Sequence, residues 1–185
     1  MSLQNGRVVA RASALFLRRS AEPDGQVWSA PAAMPPVPAD SGPIESEVPF
    51  AIWTYSASSA AGSAGMPPYE WKQAGAQKFA WARMFRPMVA GHPLTPFTAR
   101  ALAGDVVSSL THWGTAGLRY INADYTVAIR RLPEGAYIGL AAQSYYGSDG
   151  VGAGAATLFD RTGPIGTGTA VALVQPPGAF QPNSG

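Results

Sequence analysis

Between Arg119 and Val174 the chain alternates long β-favouring runs with compact polar turns. The turns are Leu132-Pro133-Glu134-Gly135, Gly147-Ser148-Asp149-Gly150 and Asp160-Arg161-Thr162-Gly163. Each has a mechanism: proline presets φ, aspartate bonds its own backbone, and glycine accepts a positive φ. The runs between them are roughly ten residues long, too short for a helical crossover, so antiparallel strands are predicted. Just upstream the pattern changes. Leu94-Thr95-Pro96 places a capping hydroxyl before a proline suited to the first helical position, and Gly114 lies where a helix would stop. The spacing predicts one helix from Pro96 to about His112. The fold class expected is α+β, a long antiparallel sheet wrapped around a central helix.

Two further strands are predicted before the helix. Phe50-Ala51-Ile52-Trp53-Thr54-Tyr55 is one; Lys78 to Phe85, with aromatics at Phe79, Trp81 and Phe85, is the other. Glu22–Glu47 is rich in Pro, Ala, Ser and Asp and lacks a periodic apolar face, so it reads as an extended connector lying over a surface. Ser56–Gly65 is a second low-order patch of Ala, Ser and Gly. At the start, Asn5-Gly6 is a turn dipeptide, and Arg7–Arg19, with Val8-Val9 and Leu15-Phe16-Leu17, reads as the second arm of a hairpin. Arg11 interrupts the apolar run, leaving it too short for a leader's apolar region. The expected division is therefore 1–20 hairpin, 21–47 linker, 48–176 main domain and 177–185 flexible tail.

Composition narrows the chemistry. The hydrophobic fraction is 46%, the charged fraction 13% and the formal net charge +2, with Arg and Lys scattered, so nucleic acid is not an expected partner. No window reaches the roughly 18 apolar residues of a membrane span. With no cysteine there is no disulfide, thiolate nucleophile or Cys-type zinc site, and a cytoplasmic protein is expected. His92 lies in a loop before Pro93, and His112 at the helix end, where a cation favours the dipole. Neither has a spaced metal partner, and no Gly-x-Ser-x-Gly elbow is present. Gly150-Val151-Gly152-Ala153-Gly154 leads into a strand rather than a helix, so its glycines are assigned to packing around the helix, not to a dinucleotide. Arg130 and Arg131 suit either solvent or a phosphate.

One carboxylate stands out. Asp105 sits on the helix among small and apolar residues, with Ala101 and Leu102 one turn back and Ser108 and Ser109 one turn on. Gly104 beside it costs the helix about 1 kcal/mol relative to alanine, which implies that space is needed there. A helix wrapped by a sheet should hold this carboxylate inside, where it must be hydrogen-bonded or used.

Several of these segments together resemble the acyl-CoA thioesterase II-like (TesB-type) proteins of the thioesterase-like hotdog superfamily. They are Gly6–Arg19, Ala103-Gly104-Asp105, Leu118–Thr126, Arg131–Gly135 and Leu158–Gly166. The resemblance implies a hotdog fold in which 48–176 is a complete unit and 1–20 is a partial N-terminal remnant of a first one. It implies an acyl-CoA substrate, no cofactor and self-association through hotdog surfaces. It also implies a water-activating set: Asp105 at the family's aspartate position, Asn122 at its threonine position, and Ala170 at its glutamine position. Ala170 has no hydrogen-bonding side chain, so Thr169, or Thr167, is the candidate substitute if strand alternation turns it inward. Two readings follow: an acyl-CoA thioester hydrolase, or a non-catalytic hotdog module that binds acyl-CoA or serves as half of an assembly.

Overall fold

The computed structural model describes residues 2–4, 7–21, 24–29, 33–39, 49–57, 75–87 and 89–176. The chain divides into two compact units, Met1–Pro31 and Ala32–Gly185. In the first, β1 (Ser2–Gln4) pairs antiparallel with β2 (Arg7–Ala10) through Leu3↔Val8 and Gln4↔Arg7. The Asn5-Gly6 turn itself lies outside the described residues. The strand expected across Leu15-Phe16-Leu17 does not form. No described strand lies beside residues 11–20 to share a ladder, and these three side chains are largely exposed.

Among the described residues, the second unit is a six-stranded antiparallel sheet curled over a helix. Its strands are β3 (Phe50–Ser56), β4 (Lys78–Met84), β7 (Tyr120–Ile129), β8 (Tyr137–Ser148), β9 (Val151–Asp160) and β10 (Gly163–Val174), in the order β3-β4-β8-β9-β10-β7. A two-residue pair, β5 (Trp113–Gly114) and β6 (Gly117–Leu118), follows the helix. The turn chemistry acts as the residues require. Gly135, Gly150 and Gly163 all have positive φ, and Asp149 (φ 51°) joins Gly150 (φ 78°) in the tight β8–β9 hairpin.

The strands after the helix do not form a plain meander. β7 runs along the far edge beside β10, so residues 130–136 must pass across the ends of β10 and β9 to reach β8. Asp160, at the end of β9 and only 3% exposed, pins that crossing. Its carboxylate accepts from both terminal nitrogens of the Arg131 guanidinium, from the Glu134 N–H at 2.7 Å and from the Thr162 N–H at 2.8 Å. Burial alone would raise its pKa. The Arg131, Glu134 and Thr162 bonds outweigh burial and hold the carboxyl well below the usual carboxylate range. Arg131 is thus engaged inside the fold, and the Arg130 Nε donates to the Pro164 carbonyl at 3.3 Å.

The helix α1 spans Ala99–His112, three residues shorter at its start than the sequence predicts. Thr95 still acts as a cap, its hydroxyl accepting the Thr98 N–H at 3.1 Å, but the turn it closes precedes the regular helix. Ala103, Val106, Val107 and Leu110 face the sheet and pack with Leu140, Leu158, Ile165 and Ala170 in one core. Fully burying a side chain such as Leu110 contributes about 1.5–3 kcal/mol. A second cluster lies on the other sheet face. Trp53, Tyr55, Phe79, Trp81, Tyr137 and Phe159 pack there with Met34, and the Trp81 indole N–H donates to the Pro35 carbonyl at 3.0 Å. Those contacts belong to 33–39, one of the described parts of the connector.

Candidate active site

Asp105 stands on the solvent side of α1, in line with exposed Ala101 and half-buried Ser109. The sequence expects this carboxylate to be shut inside; the structure leaves it exposed. The sheet covers the face carrying Ala103, Val106, Val107 and Leu110, while the stripe through Asp105 lies at the rim beside edge strand β7. There Asp105 meets Asn122, whose side-chain Nδ2 donates to Asp105 Oδ1 at 3.2 Å. Seventeen residues apart in sequence, the two candidates are brought together.

A β-bulge places Asn122. Val171 pairs with Asp124 and the next residue, Ala172, with Asn122, leaving Ala123 as an extra residue on β7. Ala170 and Ala172 are buried toward the helix, so their partners Tyr125 and Asn122 lie on the same side. Tyr125 accounts for Gly104: a β-carbon on residue 104 would come within 2.5 Å of the Tyr125 Cε2 and 3.2 Å of Val127 Cγ2. The space implied by Gly104 is filled by this tyrosine ring. Tyr125 is the site neighbour that sequence reasoning misses, because plain alternation puts it and Asn122 on opposite faces.

Thr169 is not brought to the pair. It is exposed between inward-facing Gly168 and Ala170, on the sheet face away from α1, and Thr167 is exposed on that same face. The inward position is residue 170, where the chain has only a methyl group, 2% exposed. Alternation therefore leaves the substitution by Thr169 or Thr167 without geometric support.

The helix end forms a separate cluster. His112, at the helix end as expected, is 4% exposed, with rings of Tyr120 and Tyr145 at 5.3 and 5.4 Å. Its Nδ1 lies 2.9 Å from the Ser108 carbonyl, which can only accept, so that nitrogen carries the proton. Gly152 and Gly154 let β9 approach this end: a β-carbon at 152 would stand 2.6 Å from His112 Cδ2, and one at 154 would stand against the Thr111 hydroxyl. Tyr145 donates to the Tyr120 hydroxyl at 2.8 Å; that bond, with burial, pushes its pKa up to about 12. Among the described residues no cluster of three or more His, Cys, Asp or Glu could hold a metal. No helix of the described residues is long and apolar enough to cross a membrane.

A family model described as "Acyl-CoA thioesterase C-terminal domain" matches residues 26–174. No curated protein matches the sequence. Among solved structures, the chain is similar to an acyl-CoA thioesterase II, TesB2, from Mycobacterium marinum. The TM-score is 0.52 at 17% identity, with 87% of this chain and 61% of that chain covered. It is also similar to a tesB protein from Mycobacterium avium subsp. paratuberculosis, with TM-score 0.49, 17% identity, and 81% of this chain and 57% of that one covered. The chain thus spans about three fifths of the length of these two proteins. The mostly antiparallel sheet curled over α1 is the hotdog fold of the Mycobacterium marinum structure.

Proposed function

The chain belongs to the acyl-CoA thioesterase C-terminal domain family, and from that premise we propose that it hydrolyses an acyl-CoA thioester through a water oriented by Asp105 and Asn122. The observation that carries this reading is the 3.2 Å hydrogen bond between the two side chains. With Asn122 Nδ2 on Asp105 Oδ1, the free Asp105 Oδ2 and the Asn122 carbonyl oxygen can both accept from one water. The carboxylate takes a proton as the water oxygen attacks the thioester carbonyl. The tetrahedral intermediate collapses by breaking the carbon–sulfur bond. The departing thiolate takes that proton back from the Asp105 carboxyl, and the products are the free acid and the CoA thiol. The Tyr125 ring on Gly104 forms the adjoining wall.

We place the covering of this site with self-association. Exposed to water, an Asp–Asn pair is weakly effective, because bulk solvent competes for every hydrogen bond. β7 is an edge strand, and an open edge beside the pair is a surface that a second hotdog could close. A second reading rests on one observation. The inward position at Ala170 offers no hydrogen-bonding group, which favours a hotdog module that binds acyl-CoA without turning it over.

The test is thiol release from short-, medium- and long-chain acyl-CoAs, wild type beside Asp105→Asn. The protein has no cysteine and so adds no thiol signal of its own. Release that disappears in Asp105→Asn supports the hydrolase. Binding of acyl-CoA with no release by either protein selects the second reading.

A further inference from the structure

Far from the Asp105–Asn122 pair in strand order, β4 and β8 part company. Their ladder runs only from Phe79↔Ala141 to Arg83↔Tyr137, although β8 continues to Ser148. Just past Ala141 the strand bulges: Ala142 pairs with Ala156 and Ser144 with Ala155, so Gln143 is an extra residue. The Gln77 side chain bridges the first gap, its Nε2 donating to the Ala142 carbonyl at 2.7 Å. Beyond it the two strands leave a cleft of about 410 Å³. Residues 76–78, Thr111 at the helix end and residues 142–145 line it.

The polar groups in this cleft are unusually short of partners. Lys78 is half-buried and takes part in neither described ion pair, Arg131–Asp160 nor Arg161–Glu134. Among the described residues, neither Gln143 nor Ser144 has a side-chain hydrogen bond, whereas Gln77, Thr111 and Tyr145 are already committed. One ammonium and one primary amide therefore line the cleft with spare donors, while Ser144, paired with Ala155, is turned to the sheet face away from α1. Burial lowers the Lys78 pKa, the direction expected of a partly dried cation with no counter-charge. Apolar packing would give such a group nothing. An oxyanion would accept from both donors and restore the charge balance that burial disturbs.

We propose that the cleft between Lys78 and Gln143 is a binding site for the oxyanion, carboxylate or phosphate, of a small organic acid. It is distinct from the Asp105–Asn122 pair and does not depend on the hydrolase reading. A cleft of this volume falls in the range that holds small ligands, about 300–1,000 Å³.

The experiment is titration calorimetry of the full chain with hexanoate, with inorganic phosphate and with adenosine 3′,5′-bisphosphate. The wild type is compared with Lys78→Met, Gln143→Leu and, as control, Thr167→Ala on the sheet face away from α1. The expected result is binding of at least one probe that weakens about tenfold or more in Lys78→Met, less in Gln143→Leu, and stays unchanged in Thr167→Ala. Hexanoate alone identifies a carboxylate site; the bisphosphate or inorganic phosphate identifies a phosphate site. A thermal melt of each variant accompanies the titration. If Lys78→Met melts early, Lys78→Gln and Gln143→Leu supply the comparison. No binding of any probe by the wild type at millimolar concentration overturns the proposal. So does binding that all folded Lys78 and Gln143 variants retain in full.

Discussion

Tyr125 lies with its ring edge against Gly104, so close that a β-carbon there would stand 2.5 Å from Cε2. Two opposed effects then decide what Gly104→Ala does. The helix gains about 1 kcal/mol from alanine. The ring must move, but it is 43% exposed and can swing outward rather than push on backbone. We expect Gly104→Ala to change stability by less than about 1 kcal/mol in the wild type, yet to stabilise a Tyr125→Ala background by about that amount. A double-mutant cycle from denaturant melts measures the difference. Additive effects would mean that the ring does not occupy this space.

The Asp105–Asn122 hydrogen bond predicts a graded series. Asp105→Asn keeps the shape and removes the base, so thiol release should fall about 10²–10⁴-fold. Asn122→Thr keeps an acceptor and a donor at nearly the same place and should retain more activity than Asn122→Ala. Thr169→Ala should leave the rate within about twofold, since its side chain faces away from the helix. Steady-state rates on one acyl-CoA check all four. A large loss in Thr169→Ala would count against the site as drawn.

What the sequence makes legible here follows from local chemistry. Pro133, Asp149-Gly150 and Gly163 specify turns by their own backbone preferences, so the strands around them can be read directly. Asp105 is visible as the one carboxylate of the helix. The bulge at Ala123 carries no such signature. It is decided by pairing with β10, and it alone puts Asn122 and Tyr125 on the same face. Nor does a turn signal at Leu132–Gly135 say how many strands the loop crosses; that depends on the buried Asp160 that catches it. Exposure of Asp105 is likewise a tertiary outcome, set by where the sheet's edge falls. Local spacing reaches the helix and strands, and long-range pairing decides the rest.

The Asp160 network predicts a defined acid response. Its folded pKa is held below the ordinary carboxylate value of about 3.9, so its contribution to stability is fully present above that value. The contribution falls away as pH drops below it towards the folded pKa. Asp160→Asn should destabilise the protein at neutral pH by about 3 kcal/mol, since it strands Arg131 and the Glu134 and Thr162 donors. For a chain of this size that is a melting temperature lower by roughly 6–12 °C. The gap between wild type and Asp160→Asn should narrow in melts taken from pH 5 down to pH 2. A constant gap would show that the carboxylate's charge is not what holds the crossing loop.

Edge strand β7 carries the last prediction. One of its sides is bonded to β10, and the other presents backbone donors and acceptors with no described strand beside it. Such an edge either associates or is blunted by charge, proline or irregularity. The single bulge at Ala123 lies near one end, which leaves Asp124 to Ile129 in regular register with β10 and free to receive another strand. Association there would also bring a second surface over Asp105 and dry the proposed water site. Sedimentation velocity over a hundredfold concentration range should therefore show a monomer–dimer equilibrium, and Thr126→Lys should shift it toward monomer by about tenfold or more in Kd. Thr126 is exposed and faces Thr169 across the ladder, so a lysine can be accommodated in the monomer while like charges meet in the dimer. Thiol release per chain should then rise with protein concentration in the wild type and stay low in Thr126→Lys. A monomer at every concentration with full activity would show that the site works uncovered.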